Sequence, residues 1–123
     1  MASQETAEGC TRCVRQPPSE PVICLGDHTF TYDHVFDARV TQSALYAAAV
    51  EPLVERCVEG FNATVFAYGQ TGSGKTYTMG GAAAGKDVGV IPRAATSIFD
   101  RIAAKAEECP EIAFSVSVSY PYP

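Results

Sequence analysis

The stretch Ala63-Thr64-Val65-Phe66-Ala67-Tyr68-Gly69-Gln70-Thr71-Gly72-Ser73-Gly74-Lys75-Thr76 decides the fold. Residues 63–68 are apolar toward both faces, as expected of a strand buried in a helix-covered sheet. Residues 69–76 match the pattern G-x-x-x-x-G-K-S/T. At average residue usage, those fixed positions recur by chance in only roughly 0.4% of chains this long. Glycines let the backbone turn its N–H groups inward around an anion. The Lys75 ammonium can reach the β- and γ-phosphates of a nucleotide, and the Thr76 hydroxyl can coordinate Mg²⁺. A helix is expected to begin where the loop ends, with its positive dipole end toward the phosphates.

Working outward, Tyr68 and Tyr77 flank this loop. Either ring can stack on a base or pack in a core. Upstream, residues 41–59 carry two apolar i+4 ridges. One is Leu45, Ala49, Leu53 and Cys57; the other is Tyr46, Val50, Val54 and Val58. They predict a helix capped by Thr41 and ended by Gly60, with a bend at Pro52. Earlier still, Val22-Ile23-Cys24-Leu25, a Gly26-Asp27 turn and the alternation of Phe30, Tyr32, His34 and Phe36 predict an antiparallel hairpin with one buried face. Downstream, Ile91, Ala94, Ala95, Ile98, Phe99 and Ile102 predict a core-packed helix, with Pro92 in its first turn. Ile112, Phe114, Val116, Val118 and Tyr120 alternate with small polar residues and predict a strand. Residues 1–21, with Pro17, Pro18 and Pro21, read as a weakly ordered arm before a domain spanning 22–123.

Composition narrows the class. Of 123 residues, 46% are apolar and 19% charged, enough to build a core. Nine basic against 14 acidic residues give a net charge of −5, which disfavours a basic nucleic-acid binder. No apolar run approaches the ~18 residues of a membrane span. Neither a nucleic acid nor a membrane is therefore expected as a partner. The N-terminus lacks the basic and apolar regions of a secretory signal. With five cysteines, an odd number, free thiols in a reducing compartment are expected over a disulfide framework. Cys10-x-x-Cys13 resembles half of a zinc site, but no second pair with ligand spacing follows. His28 and His34 read as hairpin residues, and Glu51, Glu55 and Glu59 as a solvated face.

Binding chemistry is thus legible, and cleavage chemistry is not. A Mg²⁺-holding acid usually ends an apolar strand after the phosphate loop. Asp100 is the nearest candidate, and it lies on a helical stripe. No water-positioning residue or arginine finger stands out.

The run from Phe61 through Gly80 closely resembles the phosphate-loop region of kinesin motor domains, well beyond the generic pattern. Phe30-Thr31-Tyr32-Asp33-His34-Val35-Phe36-Asp37 resembles the family's second strand. Val50-Glu51-Pro52-Leu53-Val54 resembles its first helix, which accounts for Pro52. Gly89-Val90-Ile91-Pro92-Arg93 resembles the point where the second helix resumes after an inserted loop. Ser117-Val118-Ser119-Tyr120 resembles the start of a later strand. The longer inserted loop leans toward chromokinesin-like members.

The resemblance implies an α/β P-loop NTPase fold, with a kinesin-type, mainly parallel central sheet flanked by helices. It implies an ATP-driven microtubule motor of the cytoplasm and cytoskeleton, with tubulin as partner and a parent dimerised through a coiled coil. Carried onto this chain, Gly69, Gln70, Thr71, Gly72, Ser73, Gly74, Lys75 and Thr76 bind the ATP phosphates. Thr76 ligates Mg²⁺, and Tyr77 lies near the base. The chain departs from the family in four places. Arg12-Cys13-Val14-Arg15-Gln16-Pro17 stands where the family has Arg-x-Arg-Pro. The switch I pattern Asn-x-x-Ser-Ser-Arg-Ser-His and the switch II pattern Asp-Leu-Ala-Gly-Ser-Glu are absent, and the match breaks at Pro121. The expectation is therefore an incomplete motor domain, cut before its switches, with residues 63–68 left without strand neighbours. A nucleotide-binding fragment without hydrolysis or motility is the alternative reading. Another P-loop NTPase is a second.

Overall fold

The computed structural model describes residues 13–17, 20–81 and 87–119. It divides into two units, residues 1–40 and 41–123.

Among its described residues the first unit forms a three-stranded antiparallel sheet in the order β1-β2-β3. Its strands are β1 (Val14–Arg15), β2 (Val22–Leu25) and β3 (His28–Thr31). Leu25 pairs with His28, so Gly26 and Asp27 form the two-residue turn expected of them. Val14 and Arg15, inside the stretch read as an arm, pair with Leu25 and Cys24. Two expectations need correction. The second hairpin strand stops at Thr31 instead of continuing to Phe36, with one further bond from Tyr32 N to Pro21 O at 2.9 Å. The buried face is also missing, because every β3 residue is exposed and Cys24 alone is buried among the unit's described residues. A sheet face is buried only under a second layer, and no helix is found among this unit's described residues.

Among its described residues the second unit holds four helices: α1 (Gln42–Ala49), α2 (Glu51–Val58), α3 (Lys75–Met79) and α4 (Val90–Glu108). Thr41 caps α1 as expected, its Oγ1 accepting from Ala44 N at 3.2 Å. The expected single bent helix is two helices, divided at Val50. Pro52 lies in the first turn of α2, where its missing N–H leaves no hydrogen bond unmade. At the far end, Gly60 N bonds Cys57 O and Phe61 N bonds Arg56 O, a Schellman closure. The ridge of Tyr46, Val50 and Val54 meets Val90 to form the core. Leu45, Ala49, Met79, Ala94 and Ile98 pack against it. Arg101 ties α4 to α2 through Glu55 at 2.8 Å and Glu51 at 3.7 Å.

The α4 stripe is only half covered. Ala94 and Ile98 pack inward, whereas Ile91 and Phe99 stay exposed. Neither expected central strand forms a ladder. Residues 63–68 and 112–119 are neither strand nor helix and pair with no described segment, with Phe66 80% and Tyr68 95% exposed. A strand persists only when its N–H and C=O groups find neighbours, and no described segment pairs with either. Tyr120 lies outside the described residues, as does Cys10. Among the described residues, no cluster of His, Cys, Asp and Glu could hold a metal ion. No helix among them is long and apolar enough to cross a membrane.

Candidate phosphate-binding site

The loop expected to bind phosphate runs from the unpaired segment 63–68 into α3. Ser73 N donates to Gln70 O at 3.2 Å and closes a turn over Thr71 and Gly72. Gly74 then sits at φ 95° as the N-cap of α3. A side chain there would strain the backbone, so the second glycine of the motif is required by the turn itself. The first N–H groups of α3 have no intrahelical acceptor, as at any helix start.

Lys75 opens α3 and folds back over the loop. Its Nζ donates to Gly69 O at 2.7 Å and to Gln70 O at 2.6 Å. The structure thus joins Gly69, Gln70 and Lys75 directly. Thr76 is exposed beside it, and its hydroxyl has no hydrogen-bond partner among the described residues. Thr71, Gly72 and Ser73 form the exposed rim. One free ammonium donor, an unpaired hydroxyl and open helix N–H groups suit an anion carrying a divalent cation.

Tyr77 resolves an alternative left open by the sequence. Its ring is 54% exposed, so it does not pack in the core. Its hydroxyl donates to Asp87 Oδ1 at 2.9 Å, and its carbonyl accepts from Gln42 Nε2 at 2.7 Å. The Asp87 hydrogen bond is the main reason the phenol's pKa is raised above the ordinary tyrosine value. Partial burial and the Asp87 charge add to the rise, and the Gln42 side chain opposes it.

Sequence reasoning missed both Gln42 and Asp87. Gln42 follows an ordinary cap residue, and only its burial beside α3 marks it out. Asp87 closes a glycine-rich insertion whose neck is held by a Gly81–Val88 bridge. Gly89 N also bonds Gly80 O there, at 3.2 Å. A Cβ on Gly81 would collide with the carbonyl oxygen of Asp87 and the amide nitrogen of Gly89. Asp100, the only acid weighed as a Mg²⁺ ligand, lies elsewhere. It lines a groove of about 390 Å³ with Tyr46, Glu51, Val88, Arg93, Thr96 and Ser97.

Comparison with known proteins fits this geometry. Residues 15–121 match the model of the kinesin motor domain. The human kinesin-like protein KIF21B is 47% identical over 89% of this chain. The mouse chromosome-associated kinesin KIF4 is 44% identical over 98% of it. The chain spans only 7% and 10% of those two relatives. Among solved structures, the Drosophila kinesin family member Kin10/NOD, in complex with manganese and ADP, is 39% identical. It superposes with a TM-score of 0.72 over 77% of this chain and 35% of its own. The fold class expected from the sequence is therefore the right one, with the central sheet incomplete. By the family match over most of its length, this chain belongs to the kinesin motor domain family.

Proposed function

We propose that this chain supplies the ATP phosphate-binding loop of a microtubule motor. The observation that carries this reading is the Lys75 ammonium, held over the loop by Gly69 O and Gln70 O with one donor to spare. An ammonium has three donors, so it can exchange loop carbonyls for phosphate oxygens without leaving the loop. Gly69 through Thr76 would hold the triphosphate, and Thr76 would hold Mg²⁺ through its unpaired hydroxyl. The cation would neutralise charge on the β- and γ-phosphates and align them for transfer.

Two neighbours support the choice of nucleotide and partner. The NOD motor is described in complex with AMPPNP, and also docked with bovine tubulin on the microtubule. ATP hydrolysis and movement along microtubules are then activities of a complete motor, acting in the cytoplasm on the cytoskeleton. Dimerisation through a coiled coil would belong to sequence outside these residues. Within this chain the cleavage step has no visible agent, because no switch residue accompanies the loop. The chain on its own should therefore bind Mg²⁺–ATP and turn it over poorly.

The test is calorimetric binding of Mg²⁺–ATP by this chain and by Lys75→Ala. Losing a charge-assisted phosphate contact of about 1.5–3 kcal/mol weakens binding roughly 10- to 150-fold. Equal affinity in the two proteins would remove Lys75 as a phosphate ligand. Microtubule-stimulated turnover by the chain alone would show that the cleavage machinery lies within it.

A further inference from the structure

We propose that Gln42 is a positioning residue for phosphate binding: its buried amide fixes α3, the short helix that carries Lys75 and Thr76, against α1. The proposal rests on the phosphate-loop reading above. Gln42, Tyr46, Val50 and Val54 are spaced four apart from α1 into α2, and each is buried. The last three belong to the core. The core ridge is therefore apolar except for an amide at its head. Among the described residues, no other amide or charged side chain is buried. A polar residue at a core position breaks the packing pattern, and such breaks collect at functional sites.

Gln42 Nε2 donates to the backbone carbonyl of Tyr77 at 2.7 Å, across 35 residues of sequence. That carbonyl has no donor from its own helix. The N–H of Gly81, four residues on, bonds Thr76 O instead, at 3.4 Å. The helix needs the support, because it is five residues long and buries none of them. A helix that short does not sustain itself in water. Met79 packs on the core and Gly80 O accepts from Gly89 N, both at the far end of α3. Gln42 grips its middle residue. Lys75 and Thr76 stand two residues and one residue before that grip, within the same turn. A swing or fraying of this turn carries Lys75 Nζ away from Gly69 O and Gln70 O, and the Thr76 hydroxyl with it. Fixing the turn in advance lowers the ordering cost when phosphate binds. An amide that served packing alone could give way to an apolar side chain of similar length at little cost. An amide that positions α3 could not do so without a loss of affinity.

The experiment separates positioning from packing. Affinities for Mg²⁺–ATP and for Mg²⁺–tripolyphosphate, which has no base, are measured on the full chain, on Gln42→Met and on Lys75→Ala. Denaturant midpoints are measured on the same proteins. Methionine matches the length of glutamine, suits a buried ridge and donates no hydrogen bond. Gln42→Met should keep a midpoint close to that of the wild type and still bind both ligands about five- to tenfold more weakly. Equal loss for the two ligands places the effect at the phosphates. A second readout needs no variant. Coupling between two sites is reciprocal, so saturating the wild type with Mg²⁺–tripolyphosphate should slow hydrogen exchange of the Gln42 side-chain amide, followed by NMR. Wild-type affinity in Gln42→Met, a loss confined to ATP, or an exchange rate that tripolyphosphate leaves unchanged overturns the proposal. If Gln42→Met does not fold, the wild-type exchange rate decides alone. A drop in Lys75→Ala without one in Gln42→Met sinks this proposal and leaves the phosphate loop intact. If the wild type binds neither ligand, the phosphate-loop reading fails and this proposal falls with it.

Discussion

Lys75 donates a 2.7 Å hydrogen bond back to the Gly69 carbonyl, so the loop's only cation is held by the loop's own first residue. A second bond, to Gln70 O at 2.6 Å, fixes it from the other side. This site suits a compact ammonium, whose donors point in several directions. A guanidinium is planar and longer, and its fork matches carboxylates and phosphates better than two successive backbone carbonyls. Lys75→Arg should therefore keep the charge and still lose function. Its affinity for Mg²⁺–ATP should fall about tenfold or more, against a contact worth about 1.5–3 kcal/mol. Wild-type affinity in Lys75→Arg, read by calorimetry, would mean that charge alone is needed.

The core makes a second, opposite pair of predictions. The Tyr46 hydroxyl is buried and has no hydrogen-bond partner among the described residues. An unsatisfied buried polar group costs about 1–3 kcal/mol. Tyr46→Phe removes the hydroxyl and keeps the ring, so stability should be unchanged or rise by about 1 kcal/mol. Val54, 6% exposed in the same cluster, has no such excess. Val54→Ala should cost about 2 kcal/mol through lost burial and a residual cavity. Denaturant midpoints of the two variants should move in opposite directions, or the Tyr46 midpoint should stay still. A large loss in Tyr46→Phe would show that the hydroxyl has a partner after all.

What was legible in the sequence was local. The Thr41 cap, the Gly26 turn, the Gly60 stop and the Gly74 entry to α3 depend on a few neighbouring residues, and all four formed. The turn and helix start of residues 69–76 were legible for the same reason, since they depend on consecutive residues. Pro52 was read as a kink and instead starts a new helix, because a proline in a first turn loses no hydrogen bond. The failures were non-local. Val65 and Phe66, or Phe114 and Val116, carry a strand pattern that states which residues would pair well, without saying whether a partner is within reach. Gln42 and Asp87 were invisible because their importance arises only where α1 and the insertion meet Tyr77.

The Tyr77–Asp87 bond also gives the molecule a pH signature. The phenol's folded-state pKa is raised, first by the hydrogen bond it donates to Asp87. An acid whose folded pKa exceeds its unfolded value of about 10 stabilises the folded state below that pH. The contribution is then lost as pH rises through the folded pKa. A phenolate absorbance titration of wild type minus Tyr77→Phe should isolate one tyrosine ionising above the ordinary range. Asp87→Ala should bring that step down toward it, since the hydrogen bond that chiefly raises it is gone. If the difference titration centres on the ordinary value in the wild type, the bond does not persist in solution.

Two unpaired apolar segments make the last prediction. Residues 112–119 contain no charge, alternate Ile112, Phe114, Val116 and Val118 with small residues, and form no ladder among the described residues. Residues 63–68 expose Phe66 and Tyr68 in the same unpaired state. Free strand edges with a regular apolar face recruit other chains by backbone pairing. The net charge of −5 opposes association only weakly, because neither segment carries any of it. This chain should therefore self-associate as its concentration rises, with a gain of β signal by infrared spectroscopy. One lysine on an alternating face is enough to oppose stacking of that face. Val116→Lys or Phe114→Lys should thus raise the concentration at which association begins, and Phe66→Lys should do the same for the other segment. A lysine at Ser117, on the opposite face of 112–119, should help less. If all these variants associate like the wild type, the pairing edge lies elsewhere. If the wild-type chain stays monomeric at high concentration, the two segments find partners within the chain itself.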